Sequence, residues 1–357
     1  MAAGGFNLVW CQERELDVAQ RHGLRGQLQD GLLAPASLED QAQRQKLQAL
    51  IERVKRHPAL YCYFITDEPS AEAFPALGRL VAFLRERDPA HLAYINLFPT
   101  YANNKQLGTA GDKPTAYREH LRLYLEQVKP SLVSYDHYQF TANGDTKEYF
   151  LNLAMIRRAA QEAGLPFLNI VQAATWTPSM RVPNAQEMRY LVYTTLAYGA
   201  QGISYYVYCC QGHTGGIALA DGTPTPIYEA LRILNREFVA IARELQPLRS
   251  LAIFHSDLRE PGCEPLPAAG PFRLQPARAP GTAARGCLLG TFGTENKPAH
   301  ALVVNLDYQA EAEIALHGPG RLERFDPRFE HWLPVKARQV ALTLPPGGGV
   351  LVRSRLD

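Results

Sequence analysis

The stretch YCYFITDEPSAEAF, residues 61–74, decides the fold. Its first half is apolar and aromatic, the composition of a strand buried on both faces. It stops abruptly at Asp67-Glu68-Pro69, and an amphipathic segment, FPALGRLVAFLRERD (74–88), follows at once. A buried strand that feeds a helix is half of a βαβ unit, and parallel sheets are built from such units.

The same rhythm runs outward in both directions. Strand-like runs stand at 5–10, 24–29, 60–65, 91–98, 131–138, 166–173 and 202–208. Helical stripes lie between them at 38–57, 74–88, 116–128, 147–164 and 228–246. In the first of these, Leu47, Leu50, Ile51 and Val54 share one face. About 250 residues with this alternation predict an α/β fold of the (β/α)8 TIM-barrel type. A doubly wound sheet is the alternative, weakened because no Gly-rich phosphate loop follows any strand.

Past Pro247 the helical pattern gives way to short strands separated by Gly, Pro and Asn turns. The expected organisation is a catalytic barrel over 1–248 and a small all-β sandwich domain over 249–357. The Pro-, Ala- and Gly-rich stretch 265–286 reads as a mobile loop, and Trp332 as core. Seven strands precede the β-domain, so either LAIFHSD (251–257) is the eighth or a first strand is missing upstream. AAGGFNLVW reads as a helix tail, a Gly cap and a strand, which favours a missing first strand. Localisation is then unreadable, because a lost N-terminus can carry a signal peptide.

Bulk properties exclude several classes. The 37 Lys and Arg balance 35 Asp and Glu, so the net charge of +2 offers no field for nucleic acid or an anionic membrane. No run reaches the ~18 apolar residues of a transmembrane helix. The six cysteines show no CxxC or zinc-type spacing and read as free thiols. No motif calls for a metal or other cofactor. Metal-dependent hydrolase barrels need several strand-end histidines, and here His137 stands nearly alone.

In a barrel of this type the active site forms at the C-terminal strand ends. Glu68 stands at such an end, and Pro69 is expected to keep it extended over the barrel mouth. Capping of the next helix by Asp67 or Ser70 is the plainer explanation of the acidic pair. The other strand ends favour function. They carry Asn96, Asp136, His137, Tyr138, Gln172, Trp176 and Tyr206, a mixture of acids, amides and aromatics. Aromatic faces pack on pyranose C–H groups, while carboxylates and amides bond the hydroxyls.

These stretches resemble the TIM-barrel clan of retaining glycoside hydrolases that includes the family 42 β-galactosidases. The likeness rests on HPALYCYFITDEPS, AYGAQGISYYVY and a C-terminal β-domain closing on VALTLPPGGGVLVRS. It implies cleavage of O-glycosidic bonds in an oligosaccharide or polysaccharide, with Glu68 as general acid/base at the fourth strand. It also implies a nucleophilic Glu at the end of the seventh, where this chain has Gln172. Asp136 is then the remaining carboxylate, as nucleophile or as base to a water. Asp67, Asn96, His137, Tyr138, Gln172, Trp176 and Tyr206 are expected to contact sugar. The alternative is a catalytically degenerate barrel that binds carbohydrate without cleaving it.

Overall fold

The computed structural model describes residues 1–276, 285–335 and 337–355. Its first part is a strand–helix pair repeated seven times. The elements in chain order are β1 (Leu8–Cys11), α1 (Leu16–Arg21), β2 (Arg25–Leu28), α2 (Gln41–Val54), β3 (Leu60–Asp67), α3 (Phe74–Arg87) and β4 (Leu92–Leu97). They continue as α4 (Lys113–Val128), β5 (Val133–His137), α5 (Tyr149–Glu162), β6 (Phe167–Gln172), α6 (Ala185–Ala197), β7 (Gly202–Tyr206) and α7 (Pro226–Leu245).

The sheet order is β1-β2-β3-β4-β5-β6-β7, each strand beside its neighbour in the chain. The pairs from β1 to β5 are all parallel. A doubly wound sheet reverses its order at a switch point, and this one does not. The fold is therefore the singly wound α/β arrangement of the TIM-barrel type, with seven strands. LAIFHSD is not an eighth, because it lies in the antiparallel strand Arg249–His255. At the start of the chain, Gly5 caps a short 3-10 turn at φ 79, as the sequence suggests.

The chain divides into two compact units, one of Met1–Asp136 and Arg158–Leu168, the other of His137–Arg157 and Asn169–Asp357. In the first, Leu47, Leu50, Ile51 and Val54 of α2 are buried together with Leu28, Leu60, Leu80 and Leu84. Each such side chain contributes about 1.5–3 kcal/mol of burial free energy. Asp40 starts α2 by accepting the Gln43 N–H at 2.7 Å, and Asp112 starts α4 through the Thr115 N–H at 2.9 Å.

In the second unit two antiparallel sheets face each other. One has six strands, in the order β8 (Arg249–His255), β10 (Cys287–Thr294), β11 (Lys297–Asn305), β16 (Gly349–Arg355), β13 (Arg321–Asp326) and β14 (His331–Pro334). The other runs β9 (Arg273–Pro276), β12 (Ala312–His317) and β15 (Gln339–Leu344). Leu289, Val303 and Val352 from the first meet Ile314, Leu316, Leu342 and Leu344 from the second, which makes a β-sandwich. β9 corrects the loop expected over 265–286, because its backbone pairs with β12; residues 277–284 of that stretch lie outside the described residues. Trp332 is half-buried and lies outside the sandwich core: its indole N–H donates to Glu244 at 3.0 Å and the Arg353 guanidinium covers its ring.

α6 has no counterpart among the helical stripes read from the sequence. It is buried on nearly every side, from Tyr190 through Ala197 without a break. β10 approaches it so closely that a Cβ on Gly290 would stand 2.4 Å from the Ala197 carbonyl. All six cysteines are free thiols. Among the described residues no helix is long and apolar enough to cross a membrane.

Candidate active site

In the first unit the C-terminal ends of β3, β4 and β5 bring three carboxyls around one amide. Register builds this cluster. Asp67 pairs with Asn96, and Asn96 with Ser134. Asp136 lies two residues beyond Ser134, on the same face of β5. A bulge in β3 between Phe64 and Thr66 sets which residue takes part. Without it Thr66 would stand beside Asn96 and the Asp67 side chain would turn to the other face.

Asn96 is 3% exposed and sits at the centre. Its Nδ2 donates to Asp67 Oδ1 at 3.0 Å and to Asp136 Oδ1 at 2.7 Å. Its Oδ1 accepts from Ser134 Oγ at 3.0 Å, and the Tyr94 hydroxyl lies 2.7 Å from that Oγ. Ser134 spends its single proton on Asn96, so Tyr94 is the donor in its own bond to Ser134.

Glu68 closes the group. Its backbone differs from the extended form expected before a proline, with φ 46 in the left-handed region. The ladder explains the turn. The Glu68 N–H still donates to the Asn96 carbonyl at 2.9 Å, and the chain must then leave the sheet. A left-handed residue with a Cβ costs about 1–2 kcal/mol. Ser70 Oγ accepts the Glu72 N–H at the start of the following 3-10 turn, so neither Asp67 nor Glu68 is spent on that cap.

The electrostatics follow from crowding like charges. Partial burial, and after it the Asp67 charge, raise the Glu68 pKa from 4.5 to about 7, against the lowering effect of a side-chain hydrogen bond with Asp136. Asp136 is 3% exposed, and its carboxyl is raised well above the ordinary range by burial, then by Glu68. Both carboxyls thus keep their protons further toward neutral pH than an ordinary carboxyl does.

The second unit holds the other expected residues in three separate settings. Tyr138, Trp176 and Tyr206 form one aromatic cluster, with ring centroids 5.1–5.4 Å apart. Trp176 is 43% exposed, and His213 joins the group by a 3.0 Å contact with the Tyr206 hydroxyl. His137 is elsewhere. Its ring is buried, with Nδ1 on Asn152 at 3.0 Å and Nε2 on Thr146 at 2.9 Å. Burial lowers its pKa to about 4 and keeps it neutral.

Gln172 is also committed to the protein. Its Oε1 accepts the Phe140 N–H at 2.9 Å, and its Nε2 donates to the Phe140 and Arg181 carbonyls at 3.1 and 2.7 Å. The amide that replaces the expected nucleophile is thus a clamp on the backbone of two loops. Tyr94 and Ser134 escaped sequence reading. Their signal was available, because each lies two residues before a candidate, Asn96 or Asp136, on the same strand face. Among the described residues no group of three His, Cys, Asp or Glu side chains is placed to hold a metal ion.

No protein-family model matches the chain, and no curated protein matches it. Solved structures similar to it are glycoside hydrolases. A β-galactosidase from the psychrophilic Marinomonas ef1 has a TM-score of 0.47 at 10% identity, over 69% of this chain and 57% of its own. An α-L-arabinofuranosidase from Thermotoga maritima has a TM-score of 0.47 at 10% identity, over 96% of this chain and 78% of its own. A 4-O-α-L-rhamnosyl-β-D-glucuronidase from Fusarium oxysporum 12S has a TM-score of 0.46 at 10% identity, over 98% and 86%. The chain thus spans little more than half the length of the galactosidase.

Proposed function

We propose that this protein cleaves O-glycosidic bonds of an oligosaccharide or polysaccharide, with the chemistry in the α/β part, residues 1–248, and Glu68 as the proton donor. One observation carries the reading: a half-buried strand-end carboxyl, whose pKa burial and the neighbouring Asp67 raise to about 7. Such a group arrives at the substrate protonated and can hand its proton to a leaving oxygen. Glu68 becomes a carboxylate as it protonates the leaving oxygen, and Asp136 is the remaining carboxyl, which either attacks the anomeric carbon or takes the proton of the water that does. Asp67 and Asn96 fix that pair. Trp176, with Tyr138 and Tyr206 against it, offers an exposed aromatic surface suited to a pyranose ring. His137 and Gln172 are left out of sugar contact, since each spends its polar atoms on the protein.

The test is turnover of a panel of aryl glycosides and oligosaccharides by the wild type, Glu68→Gln and Asp136→Asn. The expected result is hydrolysis that falls about 10²–10⁴-fold in Glu68→Gln. Full activity in that variant would refute the assignment. A second reading, a barrel that binds sugar without cleaving it, draws on the structural role of Gln172. It predicts saturable binding, lost in Trp176→Ala, with no turnover of any substrate.

A further inference from the structure

Trp10 stands on the same face of the sheet as Asp67 and Asn96, and 55% of it is exposed. Register fixes the face. Trp10 pairs with Gln27, and Gln27 with Cys62. Phe64, two residues beyond Cys62, pairs with Tyr94, and Asp67 pairs with Asn96, the next residue of that face on β4. The opposite face buries Cys11, Leu28, Leu60 and Tyr63 in the core of the unit. The Trp10 ring packs on Phe64 at 4.7 Å between centroids, and Phe64 stands 6.1 Å from Tyr94. Two further rings thus back the indole on one side, while the rest of it meets solvent. Packing alone does not account for this row. Gln27 is 3% exposed, and its Nε2 has no hydrogen-bond partner among the described residues, which costs about 1–3 kcal/mol. A row kept only for stability would hold an apolar side chain there.

We propose that Trp10 is the platform for a second sugar ring, beyond the one that meets the carboxyls, so that the substrate is a chain of at least two sugar units. The proposal rests on the reading above for sugar as the occupant, and adds its length. The occupant needs an apolar face for the indole and hydroxyls for Asp67, which is exposed and spends one oxygen on Asn96. A chain of pyranose rings carries both. A peptide strand laid along β1 would cover the ring but leave the carboxyl unmatched. Length follows from spacing. The bulge absorbs one of the residues between Phe64 and Asp67, so Asp67 stands roughly 7 Å further along β3 than Phe64. Trp10 lies on the far side of Phe64 from Tyr94, toward β1. That separation is wider than one pyranose ring and within the reach of a disaccharide.

The experiment is fluorescence titration of the full chain. It has three tryptophans, so the double variant Trp176→Phe/Trp332→Phe leaves Trp10 as the single indole. The probes are glucose, mannose and xylose, each beside its disaccharide cellobiose, mannobiose or xylobiose. The expected result is a saturable change in Trp10 emission, with protection from acrylamide, at a midpoint about tenfold lower for one disaccharide than for its monosaccharide. In calorimetric titration of that disaccharide, Trp10→Ala should weaken binding about tenfold, and Trp10→Phe, which keeps an aromatic face, should restore most of it. Emission that ignores every sugar overturns the proposal, and so do equal midpoints for each disaccharide and its monosaccharide. A Trp10 shielded from acrylamide in the free protein and released on dilution overturns it in favour of a second copy of the chain seated on β1. If the double variant does not fold, the difference between wild type and Trp10→Phe in the same titration gives the Trp10 signal. Turnover of the same sugars by the wild type scores the catalytic reading separately. Cleavage with a silent Trp10 sinks the platform alone, whereas a responding Trp10 without cleavage supports the platform and sinks the catalytic reading.

Discussion

Replacing Glu68 by Gln should stabilise the protein, by an amount that grows from about pH 4.5 and is complete above about pH 7. The folded-state pKa of Glu68 is raised from 4.5 to about 7. The folded chain therefore binds the Glu68 proton more tightly than the unfolded chain does. Stability from this group is complete below pH 4.5 and is lost as pH rises through 7. Full linkage over that interval corresponds to about 3 kcal/mol, and solvent screening of a half-buried carboxyl reduces it to about 1–2 kcal/mol. Glu68→Gln keeps the shape and removes the charge, so it should match the wild type near pH 4 and exceed it by that amount at pH 8. Glu68→Gly removes in addition the left-handed strain at φ 46, worth about 1 kcal/mol more at every pH. The assay is thermal melting of the three proteins from pH 4 to pH 8, where each kcal/mol moves the midpoint by roughly 2 °C in a chain of this size. The quantity that matters is the difference between variant and wild type, because neutral buried histidines such as His137 impose their own slope on all three. A Glu68→Gln variant no more stable than the wild type at pH 8 would refute the crowding of Asp67, Glu68 and Asp136.

Two further substitutions test the supports in the second unit. Gln172→Leu fills the same volume but strands the Phe140 N–H and the Arg181 carbonyl, so it should cost about 2–4 kcal/mol in urea unfolding. Gly290→Ala would put a methyl 2.4 Å from the backbone carbonyl of Ala197, where no side-chain rotation relieves it, and should destabilise by about 1–3 kcal/mol in the same assay.

The fold was legible wherever period and composition agreed. All seven parallel strands stand within a few residues of the apolar runs, because strands buried on both faces are apolar throughout. Five long helices were legible because one face of each meets water. α6 was not, and its environment explains why. It is buried from Tyr190 to Ala197, so it lacks the polar stripe that marks a surface helix, and its Tyr, Val and Thr residues suit a strand equally well. β9 was hidden by its surroundings of Pro, Ala and Gly, and its pairing with β12 is a long-range contact that composition does not encode.

The site divides along the same line. Which end of the sheet gathers polar side chains followed from the strand ends, since side chains that are costly to bury are placed where a parallel sheet opens. Which side chains converge did not follow, because convergence depends on register. The β3 bulge between Phe64 and Thr66 is a single extra residue, yet it decides that Asp67 rather than Thr66 meets Asn96. His137 sits next to Asp136 in the chain, but strand alternation turns it away, to Asn152 and Thr146. The expectation of an extended Glu68 weighed the proline and could not see the Asn96 carbonyl that captures its N–H. Polar residues at strand ends are thus a guide to where such side chains gather. Their settings depend on hydrogen bonds to residues that look like core, and here Tyr94 and Ser134, buried in the middle of the sheet, orient the amide that bonds Asp67 and Asp136.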